Sequence, residues 1–136
     1  MPSKLFVDRG AAGDPLARRI AANLPLAEKI IADMPGLPGA EGEPGAADLV
    51  VFRHKGPFVR DFIIPDGAPS CGEKYISVLA GCPFGCSYCY IPPRLPHQAV
   101  SVMADTDRMK NEVAAAARSG SFRLTTGETA DSLLLD

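Results

Sequence analysis

No stretch of this 136-residue sequence approaches the ~18 consecutive apolar residues of a membrane span, so no membrane partner is expected. Leu5-Phe6-Val7 is too short an apolar core for a signal peptide, and Asp8 and Arg9 interrupt it. Charge of one sign is missing too. Residues 1–70 carry 8 Lys/Arg against 9 Asp/Glu, and the remainder 6 against 7. Neither half is basic, so the electrostatic footprint of a nucleic-acid binder is not written in the composition. No internal repeat is visible. Histidine is limited to His54 and His97, each near Gly or Pro, where surface or structural roles are expected. Cysteine is scarce, with four residues, but three of them share one short loop.

That loop is Cys82-Pro-Phe-Gly-Cys86-Ser-Tyr-Cys89, spaced C-x3-C-x2-C. Three thiolates can hold three corners of a cubane [4Fe–4S] cluster, whereas clusters that only carry electrons are normally held by four. The fourth iron is then open to a small molecule. Other chemistries compete for the same thiols. Cys86-Ser-Tyr-Cys89 alone is a C-x-x-C that could be redox-active or half of a zinc site. With Cys71, the four thiolates could form a tetrahedral zinc site and the chain a zinc-binding interaction module, although Cys71 lacks the paired knuckle of a zinc ribbon. A small iron–sulfur electron carrier is disfavoured by the missing fourth ligand. Disulfides would need an oxidising compartment. Clustered thiols without an export segment point to the reducing cytoplasm, with Cys71 a free thiol.

The rest of the chain reads as alternating strands and helices. Lys4 to Asp8 is a short strand. Asp14-Pro15 is an N-cap followed by Pro at the first helical position, and Leu16, Ile20 and Leu24 lie on one face of a helix ending at Pro25. Glu28 to Asp33 is a second strand. Met34 to Ala47 holds three Pro and four Gly and reads as a linker or long loop. Asp48 to Arg53 is the next strand, with Phe58 to Ile64 expected to pair back against it. Arg53 and Lys55 make a small basic spot at a solvated strand end. Lys74 to Ala80 reads as one continuous strand, closed by Gly81. Asp105 or Thr106 caps a helix with Met109, Val113, Ala116 and Ala117 on one face, ending near Gly120, and Phe122 to Thr126 is a further strand. Residues 74–126 thus form strand, cluster loop, helix and strand, a βα unit with its parallel strand, right-handed by rule. The Cys loop and Gly127-Glu128 both fall at carboxyl ends of strands, where α/β barrels do their chemistry.

The Cys loop, with Tyr88 before its last thiol, resembles the signature of radical S-adenosylmethionine (radical SAM) enzymes. Within them the chain is similar to the spore photoproduct lyase-like branch. The blocks are Lys4 to Asp8 with Asp14-Pro15-Leu16, His54-Lys-Gly-Pro-Phe58, Tyr75-Ile76 leading to Gly81-Cys82-Pro83, Cys86 to Tyr90, and Arg123 to Leu133. The resemblance implies an α/β chain: a small N-terminal α/β region over residues 1–70, then the start of a partial (β/α) barrel over 71–136, which reads as truncated. It implies Cys82, Cys86 and Cys89 as ligands of a [4Fe–4S] cluster and S-adenosylmethionine on the open iron. It implies that Gly127-Glu128 holds the methionine amino group and that Tyr88 packs beside the adenine. A loop aromatic anchoring the core is the other reading of Tyr88, and a strand-end turn the other reading of Gly127-Glu128. Asp131 and Ser132 would support the site or cap the next turn. A flavodoxin- or ferredoxin-type electron donor and a nucleic-acid substrate are implied by resemblance only. One departure stands out. Where lyases that repair the spore thymine dimer carry a hydrogen-donor Cys, this chain has Glu128, and no Cys follows Cys89. The sequence singles out no catalytic residue beyond the cofactor set.

Overall fold

The computed structural model describes residues 2–33, 44–62, 65–69, 72–84, 86–90, 98–127 and 129–133. Among them the order is β1 (Lys4–Asp8), α1 (Pro15–Asn23), β2 (Glu28–Ala32), β3 (Leu49–Phe52), β4 (Arg60–Asp61), β5 (Lys74–Ile76), β6 (Leu79–Ala80), β7 (Val100–Met103), α2 (Thr106–Ser119) and β8 (Leu124–Thr126). The strands make two sheets: five strands in the order β2-β1-β3-β7-β6, and three in the order β4-β5-β8. The result is a mixed α/β fold.

The five-stranded sheet carries the core. Its β1, β3 and β7 are near-continuous apolar runs, as strands buried on both faces must be. Leu5, Val7, Leu49, Val51, Val100 and Val102 face one side, where α1 covers them with Leu16, Ile20 and Leu24. Phe6, Val50 and Ala99 cluster together elsewhere in the core. All neighbours from β2 to β7 are parallel, and only β6 runs antiparallel. Asp48 pins the entry of β1 beside β3. Its carboxylate accepts from Ser3 Oγ at 2.8 Å, from the Lys4 amide at 3.1 Å and from the Gly45 amide at 2.9 Å. Burial pushes the Asp48 pKa up, but these donors and the Lys4 charge outweigh it and hold the carboxyl below its ordinary value.

The Asp14-Pro15 start of α1 is as the sequence foretells, with one difference. The Asp14 side chain makes no cap hydrogen bond. It receives instead both Arg53 Nε, at 2.8 Å, and Arg53 Nη2, so the end of β3 is tied to the start of α1. The Arg53 hydrogen bonds, against the opposing effect of burial, lower the Asp14 pKa. A carboxylate whose folded pKa is depressed contributes stability that is full above its unfolded pKa and is lost as pH falls through the folded one. Asp14→Asn is therefore expected to lower the melting temperature at pH 7. Below about pH 3.9 the gap to the parent should close. Thermal melts followed by circular dichroism from pH 7 to 2 would measure this, and a gap independent of pH would show that the ion pair is not its source.

Two strand expectations change. Among the described residues of 58–64 none pairs back on β3; β4 pairs antiparallel with β5, with Arg60 opposite Tyr75. Positions 63 and 64 lie outside the described residues. The single strand over Lys74–Ala80 is divided. β5 pairs parallel with β8 in the small sheet, while β6 pairs with β7 in the large one. Ser77 and Val78 make the crossing, and the Val78 carbonyl accepts from the Met103 amide at 2.9 Å. Alternation reveals which residues are apolar, not which partner each half of a run will bond. Val100–Met103, just before α2, is a strand of the large sheet, between β3 and β6. No helix among the described residues is long and apolar enough to cross a membrane.

Candidate functional site

The Cys loop leaves β6 at Gly81, whose φ of +89° is open to glycine and strained for other residues. A Cβ there would sit 2.8 Å from the Ala99 carbonyl oxygen, so the loop departs pressed against the chain entering β7. Beyond Gly81 the loop is exposed. Cys82 and Cys89 are half-buried, Cys86 is exposed, and all three thiols are free. The Cys89 amide donates to the Cys86 carbonyl at 3.0 Å, closing the C-x2-C segment into a turn. Gly85 and Cys71 lie outside the described residues, as does His97.

Tyr88 is 88% exposed, which removes it as a core anchor and leaves its ring free for a ligand or partner. Phe84 and Tyr90 on the same loop are also exposed. Among the described residues no three Cys, His, Asp or Glu side chains converge as the ligands of one ion would. A cubane asks for something else, because each of its thiolates binds a different iron. The donor set among the described residues, three thiols on one exposed loop, fits a cluster held at three corners. The zinc reading needs one compact tetrahedron and also Cys71.

Gly127 follows β8, with φ of +82°. Its amide donates to the Ile76 carbonyl at 2.9 Å, and a Cβ would collide with the Ala130 carbonyl at 2.3 Å. The turn is thus built around glycine and held against the end of β5, three residues before β6 begins. Glu128 lies outside the described residues. Asp131 caps the turn through the Leu133 amide at 2.9 Å, and Ser132 Oγ lies 3.0 Å from Thr126 Oγ1.

Between α1, the large sheet and the start of α2 runs a groove of about 1760 Å³. Val78, Leu79 and Val102 contribute to its apolar lining, Ser132 borders it, and Pro83 is its contact with the Cys loop. None of the three thiols lines it.

One cluster escaped the sequence reading. Arg108, in the first turns of α2, donates through Nε to Asp105 at 2.8 Å and through Nη1 to the Gly56 carbonyl at 3.0 Å and to Glu112 at 3.1 Å. Its Nη2 reaches the His54 carbonyl, and its guanidinium lies 4.6 Å over the Phe58 ring. Glu112 accepts from the Phe58 amide at 2.6 Å, and Asp105 from the His54 amide at 3.1 Å. The His54 ring sits 3.3 Å from the Pro57 carbonyl and 5.1 Å from the Phe58 ring, a structural role within the loop. The only hint in the sequence is the Asp105, Arg108, Glu112 spacing on one helix face; their partners are more than fifty residues away.

No family model and no curated protein matches the sequence. Solved structures do. A Cys-to-Ala variant of spore photoproduct lyase with a dinucleoside spore photoproduct superposes with a TM-score of 0.74 at 18% identity, over 96% of this chain and 40% of that one. A double variant with bound AdoMet and the same dinucleoside gives 0.74 at 18% identity, over 100% and 42%. A Cys-to-Ser variant gives 0.73. The chain shares its fold with part of spore photoproduct lyase. It spans about two-fifths of the length of those structures.

Proposed function

We propose that the chain is the cluster-bearing part of a radical SAM enzyme of the spore photoproduct lyase-like branch, working in the cytoplasm. The observation that carries the reading is the C-x3-C-x2-C loop, presented free and exposed at the end of β6 in a fold shared with that lyase. Cys82, Cys86 and Cys89 would hold a [4Fe–4S] cluster and leave one iron for S-adenosylmethionine. Bound there, the cluster supplies one-electron reduction of the sulfonium. The residues of the chain position and shield. Gly81 sets the exit of the loop, Tyr88 would offer its exposed ring to the adenine, and by resemblance Gly127-Glu128 would hold the methionine ammonium. β5, α2 and β8 form the opening of a (β/α) barrel over 71–136, preceded by the α/β region of 1–70. The parallel β5–β8 pair supports that reading.

A nucleic-acid substrate is proposed because the similar lyase structures hold a dinucleoside. Dimer repair itself is not proposed, since Glu128 stands where the resemblance places the hydrogen-donor Cys of the repairing lyases. A flavodoxin- or ferredoxin-type protein would deliver the electron. Anaerobic reconstitution with iron and sulfide tests the reading. The cluster should appear in visible absorption and EPR, and its EPR signal should shift on adding S-adenosylmethionine. A zinc-only protein would refute it.

The Glu128 assignment has its own test. In a full-length relative with the same Gly-Glu pair, Glu128→Ala is expected to leave the cluster intact and weaken S-adenosylmethionine binding by roughly ten- to hundredfold, the equivalent of about 1.5–3 kcal/mol for a charge-assisted hydrogen bond. Calorimetric titration measures it, and unchanged affinity removes Glu128 from the site.

A further inference from the structure

The three thiols of the loop are placed in two different ways. Cys86 and Cys89 share one turn, closed by the Cys89 amide on the Cys86 carbonyl at 3.0 Å. That bond is local and needs no contact with the sheet. Cys82 is placed from the sheet. It stands one residue beyond β6, whose Ala80 is registered opposite Ser101 of β7, and the intervening residue is Gly81.

Gly81 is itself buried, and a Cβ on it would stand 2.8 Å from the Ala99 carbonyl oxygen and 3.3 Å from the Val100 Cα. Both are backbone atoms, with no flexible side chain to swing aside. Nor is that stretch of backbone free to retreat. Ala99 is 1% exposed and packs with Phe6 and Val50, and Val100 packs into the other core cluster with Leu49, Val51 and Val102. Close-packed interiors yield little. The chain beyond Gly81 has no comparable seat, since Pro83, Phe84 and Cys86 are exposed. A conflict at this contact is therefore relieved by moving the loop, and the residue that moves first is Cys82.

From this geometry we infer that Gly81 is the positioning residue of Cys82. Its bare Cα, pressed against the core-seated Ala99 carbonyl, fixes where the first thiol leaves the sheet, while the Cys86–Cys89 pair sets itself. The inference rests on the cofactor reading above for what the thiols hold. The placement of Cys82 belongs to the chain without metal and can be read there.

The test uses the full 136-residue chain as parent, Gly81→Ala, Gly81→Asn, Ala99→Gly and, as control, Gly67→Ala. Gly67 has φ of +82° but no atom within 4 Å of where a Cβ would stand, so alanine there brings the backbone strain without the contact. On reduced, metal-free protein, alkylation by iodoacetamide is timed at each thiol by fragment mass spectrometry. Iron after anaerobic reconstitution and circular dichroism complete the set. Gly81→Ala should label several-fold faster at Cys82, keep the parent's rates at Cys86 and Cys89, and hold as little iron as Cys82→Ala. Gly81→Asn should behave the same way, because Asn accepts a positive φ more readily yet still carries the Cβ. Gly67→Ala should match the parent in labelling and iron.

An unchanged Cys82 rate in folded Gly81→Ala would overturn the inference. So would parent-like behaviour of Gly81→Asn, which would make the dihedral rather than the contact responsible. Equal acceleration at all three thiols would mean general loosening of the loop, and full iron in Gly81→Ala with Cys82 freed would mean that assembly does not need the seat; either overturns it. If Gly81→Ala does not fold, Ala99→Gly carries the test. Removing the side chain that packs on Phe6 and Val50 loosens the seat and should speed labelling at Cys82 alone, and no change there would overturn the inference. A parent that takes up no iron while Cys82 responds as stated would sink the cofactor reading and leave the placement of the thiol standing, a result distinct from each of the others.

Discussion

Alanine at any one of Cys82, Cys86 or Cys89 is expected to abolish cluster assembly, while alanine at Cys71 leaves it intact. The expectation follows from the donor count. In the proposed site Cys82, Cys86 and Cys89 are the protein ligands, so losing one leaves two corners of a cubane held, and the iron should fall from about four per chain to background. No neighbouring group is positioned to take over, since among the described residues no further Cys, His, Asp or Glu completes a three-ligand set. The fold should survive each substitution. Cys86 is exposed and Cys82 and Cys89 only half-buried, so little packing is lost. Iron and sulfide analysis after anaerobic reconstitution, with circular dichroism as the control for folding, gives the answer. Retained iron in Cys86→Ala, or loss of all metal in Cys71→Ala with zinc as the bound ion, would transfer the case to the zinc-module reading.

Phe58→Ala is expected to be the most damaging single substitution outside the core sheet. The ring is 1% exposed, and truncating a buried Phe typically costs about 3–5 kcal/mol in lost transfer energy and residual cavity. Against a total stability of roughly 5–15 kcal/mol this is a large share. At this chain length it corresponds to a fall in melting temperature of roughly 10–20 °C. The loss spreads beyond packing, because the Arg108 guanidinium and the His54 ring both rest against Phe58. Phe58→Leu, which keeps most of the volume, should recover more than half of the loss. Thermal or urea melts of both variants would decide. A Phe58→Ala protein as stable as its parent would mean that the loop at 54–59 is held by its hydrogen bonds alone.

How much of this was legible beforehand differs from element to element. Lys4–Asp8, Leu49–Phe52 and Thr106–Ser119 could be read from local pattern, because apolar alternation, apolar runs and capping residues act within a few positions of chain. The division of Lys74–Ala80 could not. Its apolar or strand-prone residues, Tyr75, Ile76, Val78 and Leu79, run on both sides of Ser77, and only the availability of β8 on one side and β7 on the other sends its halves to different sheets. The pairing of Arg60–Asp61 with β5 was hidden for the same reason.

The candidate site shows the same split. By itself, the sequence placed three thiols at the local spacing C-x3-C-x2-C, and the proposed ligand set rests on that spacing. It also placed glycine at 81 and 127, where the backbone takes a positive φ. Only the tertiary structure decided that Tyr88 stands in solvent rather than in the core, that Asp14 answers Arg53 instead of capping its own helix, and that Arg108 and Glu112 grip a loop more than fifty residues away. The physical reason is range. Backbone dihedrals and cluster-ligand spacing are fixed by neighbours in the chain. Burial and charge pairing depend on which surfaces meet once the sheets have formed.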